Sequence, residues 1–183
     1  MLLARVVEAD FAEVVALANV AYRGLGKPDN GAEASWNLEA GLVEGPRLTE
    51  VTLREDLADK PELLVWRDEP VVPGAPSGPL MGTVWMQRKG DGVWYLGLLT
   101  VRPDVQNRQL GRTLLAAAEE YARERGGRRI TMTVLSGRDA LMGWYERRGY
   151  RKTGEIEPFP YGDVRMGTPL REDLYFVVME KEI

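Results

Sequence analysis

The stretch from Val93 to Leu135 constrains the fold of this chain more than any other. Val93–Val101 (VWYLGLLTV) is an almost unbroken apolar run, the pattern of a strand covered on both faces. Pro103 ends it. The loop Asp104–Gln109 then leads into Leu110–Arg125, where Leu110, Leu114, Ala118, Tyr121 and Ala122 share one helical face. Gly126-Gly127 closes that helix, and Arg128–Leu135 reads as another strand. A strand, a crossover helix and a second strand in one sheet form a right-handed parallel unit. The spacing therefore predicts one parallel strand pair with a helix packed over it.

The flanking sequence surrounds this unit with shorter elements. Leu2–Glu8 reads as a strand. Asp10 is expected to cap a helix carrying Phe11, Val14, Val15, Ala18 and Tyr22, with Glu13 as capping-box partner and Gly24 and Gly26 as its stop. Residues 27–48 are irregular, with a short helix expected over Ala34–Val43, and Thr49–Asp59 is a further helix. Glu62–Arg67, Leu80–Lys89 and Val93–Val101 read as an antiparallel meander, broken by the turn-rich residues 69–79 and by Gly90-Asp91-Gly92. Asp139–Arg148 is a short helix, Tyr150–Ile156 is extended, Phe159–Pro169 is a Pro/Gly loop, and Leu174–Lys181 is a closing strand. A chain of 183 residues reads as a single domain, residues 1–183, of mixed α/β class with helices on both faces of one sheet.

Two missing residue types narrow the chemistry. There is no cysteine, which excludes disulfides, a thiolate nucleophile and a cysteine zinc site. There is no histidine, which excludes imidazole relays and imidazole metal ligands. Proton transfer must come from Asp, Glu, Lys, Tyr, the backbone or water. No EF-hand pattern occurs, and no metal is expected. A net charge of -4 argues against nucleic-acid binding through bulk positive charge, so no nucleic-acid partner is expected. No apolar run is long enough to span a bilayer, and charges fall too early for a signal peptide. A cytoplasmic protein without a membrane partner is the expectation.

The junction between strand and helix carries the most specific chemistry. In Gln106-Asn107-Arg108-Gln109-Leu110-Gly111-Arg112-Thr113, loop amides and the first free N–H groups of the helix converge on one spot. The helix dipole adds positive potential there, which suits a phosphate or diphosphate. Gly111 allows close approach, and Arg108 and Arg112 can add charge. A plain strand-to-helix connection is the alternative.

LLTVRPDVQNRQLGRTLL resembles the cofactor loop of the GNAT N-acetyltransferase superfamily, V-x-P followed by [QR]-x-x-G-x-[GA]. Tyr145-Glu146-Arg147-Arg148-Gly149-Tyr150 is similar to the family's second signature, Y-x-x-x-G-[FY]. The middle glycine of the loop is Gln109 here, a departure from the pattern. The resemblance implies a mixed, mostly antiparallel twisted sheet with a central, splayed parallel strand pair. It implies acetyl-CoA as co-substrate, lying between the two splayed strands.

Residue by residue, the resemblance gives the pantetheine arm to the main chain of Leu99, Thr100 and Val101, with the Val101 N–H also polarising the thioester carbonyl. It gives the diphosphate to Gln106, Asn107, Arg108, Gln109, Leu110, Gly111 and Arg112, with the Thr113 hydroxyl nearby. Arg138 stands where many members carry Asn and is a further cofactor contact, its alternative being a solvent-facing helix start. Tyr145 would protonate the departing thiolate, the alternative being a core aromatic. The catalytic set is thus Tyr145, Val101 and a base, for which Glu39, Glu44, Tyr95 and a water chain stay open. Trp36, Glu39, Glu44 and Arg47 form the expected acceptor side, with Glu157 and Asp163 able to assist. The implied activity is acetyl transfer from acetyl-CoA to a primary amine of a small molecule or peptide by direct attack in a ternary complex. A CoA-binding regulatory module without transferase activity is the alternative, and a homodimer is compatible with either.

Overall fold

The computed structural model describes residues 3–24, 38–58, 61–68, 78–104 and 109–183. In chain order they form β1 (Leu3–Arg5), α1 (Phe11–Arg23), β2 (Val43–Glu44), α2 (Glu50–Ala58), β3 (Glu62–Arg67), β4 (Leu80–Gly90) and β5 (Val93–Val101). Then come α3 (Leu110–Arg123), β6 (Arg129–Leu135), α4 (Asp139–Glu146), β7 (Arg151–Pro158), β8 (Thr168–Pro169) and β9 (Tyr175–Glu182). Seven strands make one sheet in the order β1-β3-β4-β5-β6-β9-β7, and β2 pairs with β8 in a small ribbon. Every neighbouring pair of the large sheet is antiparallel except β5–β6, the predicted parallel unit. β9 enters between β6 and β7, an order no local pattern specifies.

Helices cover both faces of the sheet. In β3, Leu63 and Val65 pack with Phe11, Val14 and Leu17 of α1 and Leu53 of α2. Leu64, on the opposite face, joins Leu114, Leu115 and Ala118 of α3 and Met142 of α4. Successive strand residues point to opposite faces, so a strand sandwiched between two helix layers is apolar at every position. That is why β3 carries the unbroken run Leu63–Trp66 between its charged ends, and β5 reads VWYLGLLTV.

Three expectations about local structure need correction. Asp10 does not cap α1: it closes a 3-10 turn, Glu8–Asp10, and its Oδ2 accepts the Val7 N–H at 2.9 Å. Its Oδ1 takes Arg67 at 2.7 Å, and Glu13 also pairs with Arg67 rather than closing a capping box. A cation delivered by a distant strand outweighs the local cap. The short helix expected over Ala34–Val43 is not found in its described part: residues 40–42 form a turn and Val43 enters β2, while residues 34–37 lie outside the described residues. The Phe159–Pro169 loop contributes the other half of this ribbon, with Val43 opposite Pro169 and Glu44 opposite Thr168. Two residues per strand give no periodicity to read.

Candidate active site

Strands β5 and β6 pair over only three residues, Val93↔Arg129, Trp94↔Ile130 and Tyr95↔Thr131, and then part. Two features open the fork. The first is a bulge in β5: Trp85 faces Gly97 and Thr83 faces Thr100, so Val84 stands opposite both Leu98 and Leu99. Leu98 takes φ 44, a left-handed conformation costing a branched side chain roughly 1–2 kcal/mol. The Leu98 carbonyl is held by the Thr100 hydroxyl at 3.0 Å and the Thr83 hydroxyl at 3.4 Å, and both threonines are buried. The extra residue also shifts the strand's phase. Trp94 and Leu96 face the α3 core before it, and Leu99 and Val101 face that core after it.

The second feature is the direction of the main chain past the bulge. The Arg102 N–H donates to Met81 O at 3.0 Å, so Arg102 and, two residues earlier, Thr100 spend their backbone groups on β4. The N–H and C=O of Val101, between them, point the other way, into the gap. At the root of the fork the Tyr95 hydroxyl meets the Thr133 hydroxyl at 3.0 Å, bridging the strands just past their last paired residues.

The gap is a cavity of about 470 Å³. Leu96–Leu99 form one wall and Met132–Leu135 the other, and Leu141 and Tyr145 of α4 close one side. Tyr145 is 6% exposed and packs edge-on against Trp144 and Tyr150, with ring centroids 5.0 and 5.6 Å away. The signature Y-x-x-x-G-Y has a geometric origin here. Gly149 takes φ 89 past the end of α4, and the Tyr150 N–H returns to Tyr145 O at 3.2 Å. That reversal tucks the second tyrosine beside the first. Among the described residues, none hydrogen-bonds to the Tyr145 hydroxyl. Burial, reinforced by the neighbouring Tyr22, raises the Tyr145 phenol well above its ordinary value, so the phenol stays protonated at neutral pH. The Tyr150 hydroxyl is instead committed to the buried carboxylate of Glu119 at 3.1 Å, which Lys181 neutralises at 2.7 Å.

Beyond the end of β5 in the chain, α3 begins. Gln109 precedes it at φ 60, ψ 16, the left-handed conformation that a glycine would adopt without strain. The Thr113 N–H makes the first helical bond, to Gln109 O at 3.1 Å, and the Thr113 hydroxyl leans on the same carbonyl at 3.3 Å. The N–H groups of Leu110, Gly111 and Arg112 therefore open onto the helix terminus. Gln106, Asn107 and Arg108 lie outside the described residues. Replacing Gln109 by glycine should relieve about 1 kcal/mol of strain and raise the melting temperature by about 2 °C. A thermal melt of Gln109→Gly that falls instead would show that the glutamine side chain stabilises the junction.

The far end of the cavity is charged. Glu39 is 8% exposed, pairs with Arg23 and accepts from Arg138 at 3.5 Å. Arg138, at the start of α4, is buried rather than solvent-facing. Arg23 also donates to Gly45 O at 3.0 Å and Met166 O at 3.1 Å, tying α1 to the loops on either side of the β2–β8 ribbon. Burial and the neighbouring Arg47 bring the Arg23 guanidinium down to about 10, still cationic at neutral pH. Arg47 lines the same cavity, its guanidinium 5.4 Å from the centre of the Tyr22 ring. Glu157 is at the rim, whereas Glu44 is exposed on β2 outside the lining, and Trp36 lies outside the described residues. Asp163 caps a 3-10 turn by accepting the Arg165 N–H at 2.9 Å. Tyr22 and Arg23 were hidden from sequence reasoning: one looks like core stripe and the other like a charge ending a helix.

Among the described residues no group of acidic or imidazole side chains is placed to hold a metal ion, and no helix is long and apolar enough to cross a membrane. No curated protein matches the sequence. Solved structures share the fold. Ribosomal-protein-alanine N-acetyltransferase from Brucella melitensis superposes with a TM-score of 0.64 at 20% identity, over all of both chains. The ribosomal-protein-S18-alanine N-acetyltransferase of Escherichia coli gives 0.66 at 17% identity, over 100% of this chain and 93% of that one. A GNAT family acetyltransferase from Elizabethkingia anophelis with acetyl-CoA bound gives 0.56 at 14% identity, over 72% of this chain and 82% of that one. The model of the acetyltransferase (GNAT) family matches residues 34–150, which hold the fork, the α3 junction and Tyr145. With that match spanning well over half its length, the chain belongs to the GNAT family of acetyltransferases, acyltransferases that draw on acetyl-CoA.

Proposed function

We propose that this chain transfers the acetyl group of acetyl-CoA directly to a primary amine, with both substrates bound at once. The observation that carries this reading is the fork: a cavity between two strands that stop pairing, with a buried tyrosine on one side, and an open helix terminus following β5 in the chain. Acetyl-CoA supplies the acetyl group as a thioester. The amides of Leu110, Gly111 and Arg112, joined by those of Gln106 to Gln109, bind the diphosphate at the positive end of α3. The splayed edge of β5 holds the pantetheine arm by strand addition, from Leu99 to Val101. The Val101 N–H donates to the carbonyl oxygen as it gathers negative charge. The amine nitrogen bonds to the carbonyl carbon and the carbon–sulfur bond breaks; the Tyr145 hydroxyl gives its proton to the leaving sulfur while the proton shed by the new amide nitrogen passes through water to restore the phenol. With no cysteine in the chain, no thiol-borne acetyl-enzyme intervenes.

Both carboxylate oxygens of Glu39 are spent on guanidiniums, so accepting a proton would break a buried ion pair. We assign Glu39 to holding Arg138 in place, and the proton of the ammonium leaves to water at the mouth. The guanidiniums around that end assist by disfavouring a second cation beside them.

Two titrations test the reading. Calorimetry with coenzyme A should show saturable binding, and thiol release from acetyl-CoA should depend on an added amine. Absence of heat from a native protein overturns the proposal. Tight binding with no turnover on any amine would favour the regulatory module instead.

A further inference from the structure

Among the described residues, the acceptor end of the cavity holds three guanidiniums against the carboxylate of Glu39 and, at the rim, that of Glu157. Among the described residues, Arg23, Arg138 and Arg47 gather around the single buried carboxylate of Glu39. Arg23 and Arg138 are both bound to that carboxylate, with side chains only 3% and 8% exposed. Arg47 is different. It forms no ion pair with a described residue, and its guanidinium faces the cavity across the Tyr22 ring at 5.4 Å. Its position is built rather than incidental. The Asn19 side-chain carbonyl accepts the Arg47 N–H at 2.6 Å and the Leu48 N–H at 3.2 Å, while the Asn19 amide donates to Leu48 O at 2.8 Å. Three hydrogen bonds from one α1 side chain thus fix the backbone that carries this arginine. Burial first, with proximity to Arg47 adding to it, lowers the pKa of both Arg23 and Arg138.

A half-buried guanidinium anchored this way, beside two more cations, favours an anion and disfavours a polycation. We propose that the acceptor is an amine that also bears a carboxylate, and that Arg47 binds this carboxylate while the amino group points toward Tyr145. The inference rests on the acetyl-transfer reading above. Pro158, Pro160, Met166 and Phe176 form an apolar wall of the cavity, with Glu157 at its rim, so the body of the acceptor that meets this wall is apolar. An amino acid of the phenylalanine, methionine or leucine type has these three features. Polyamines and aminoglycosides have none of the anionic character the site asks for.

The test uses matched probes with the whole chain and acetyl-CoA: L-phenylalanine, L-methionine and L-leucine, their carboxamides, phenethylamine and spermidine, read by thiol release. Each acid should exceed its carboxamide at least about 10-fold in kcat/KM, the loss typical of a missing charge-assisted hydrogen bond. Arg47→Gln should erase that preference, raising KM for the acids about 10-fold and leaving the carboxamides within about 3-fold. Preference for phenethylamine or spermidine, or an acid preference that survives in Arg47→Gln, overturns the proposal. If no probe turns over although coenzyme A binds, the transfer reading fails, and the subsite is then judged by itself. In that case phenylacetate should raise the melting temperature of the CoA-saturated protein, phenylacetamide should not, and the shift should vanish in Arg47→Gln. Equal shifts from the two probes, or none, overturn it.

Discussion

Gly111→Asp is expected to abolish coenzyme A binding while leaving the fold at least as stable as before. Gly111 is the second residue of α3, with helical backbone, and among the described residues a Cβ there would meet only the Trp144 ring, at 3.5 Å. The site therefore has room for a side chain. An acidic residue in the first turn of a helix is favourable in itself, by about 0.3–1 kcal/mol. The same carboxylate would sit where the diphosphate must approach. Two unit charges 4 Å apart repel by about 4 kcal/mol at an effective dielectric of 20, so affinity should fall at least about 100-fold. Gly111→Ala is the control: it adds the Cβ without the charge, and should lose far less affinity than the aspartate variant because the repulsion is absent. Calorimetry with coenzyme A and a thermal melt read both variants. An aspartate variant that binds like the parent would move the diphosphate away from α3.

Tyr145→Phe carries the second large effect. The ring keeps its edge contacts with Trp144 and Tyr150, so the melting temperature should change little. Only the hydroxyl is lost. Positioned proton donors contribute about 100-fold or more to rate, so kcat should drop by about that factor while KM for acetyl-CoA moves within about 3-fold. The pH profile separates a donor from a structural ring. Burial raises the Tyr145 phenol above its ordinary value near 10, so it remains a donor while a free thiol of pKa near 8.5 titrates. The parent's kcat should therefore show no alkaline decline from this residue below about pH 10. The phenylalanine variant should be depressed by the same factor throughout. A kcat within 2-fold of the parent, or a loss confined to KM, would remove Tyr145 from proton transfer.

Much of this architecture could be read locally. The unbroken apolar runs of β3 and β5, the α3 stripe and the Gly126-Gly127 break specify a parallel unit between helix layers, because each signal lies within one element. Other features depend on partners remote in sequence. Arg67 lies 57 residues from Asp10 and draws it off its cap. The β2–β8 ribbon joins pieces too short to show a period. Leu98 looks like any strand leucine in sequence. Its left-handed conformation follows from the count of residues opposite Val84 and from two threonines that hold its carbonyl. The same limit applied at the acceptor end. Glu39 and Arg47 could be named as candidates, but their unlike roles depend on Arg23, Arg138 and Asn19, which only the tertiary fold brings beside them.

The offset at Leu98 divides β5 into two stretches that answer to different demands. Upstream residues as far as Tyr95 are gripped by neighbours on both flanks, and alterations there should register as lost heat resistance. Downstream residues have one flank bare, so the same alterations should surface as weakened capture of the acyl donor. A one-residue deletion at the offset would bring the two stretches into step, keep Val101 opposite Gly82 and let β5 and β6 run on side by side, closing the fork along its length.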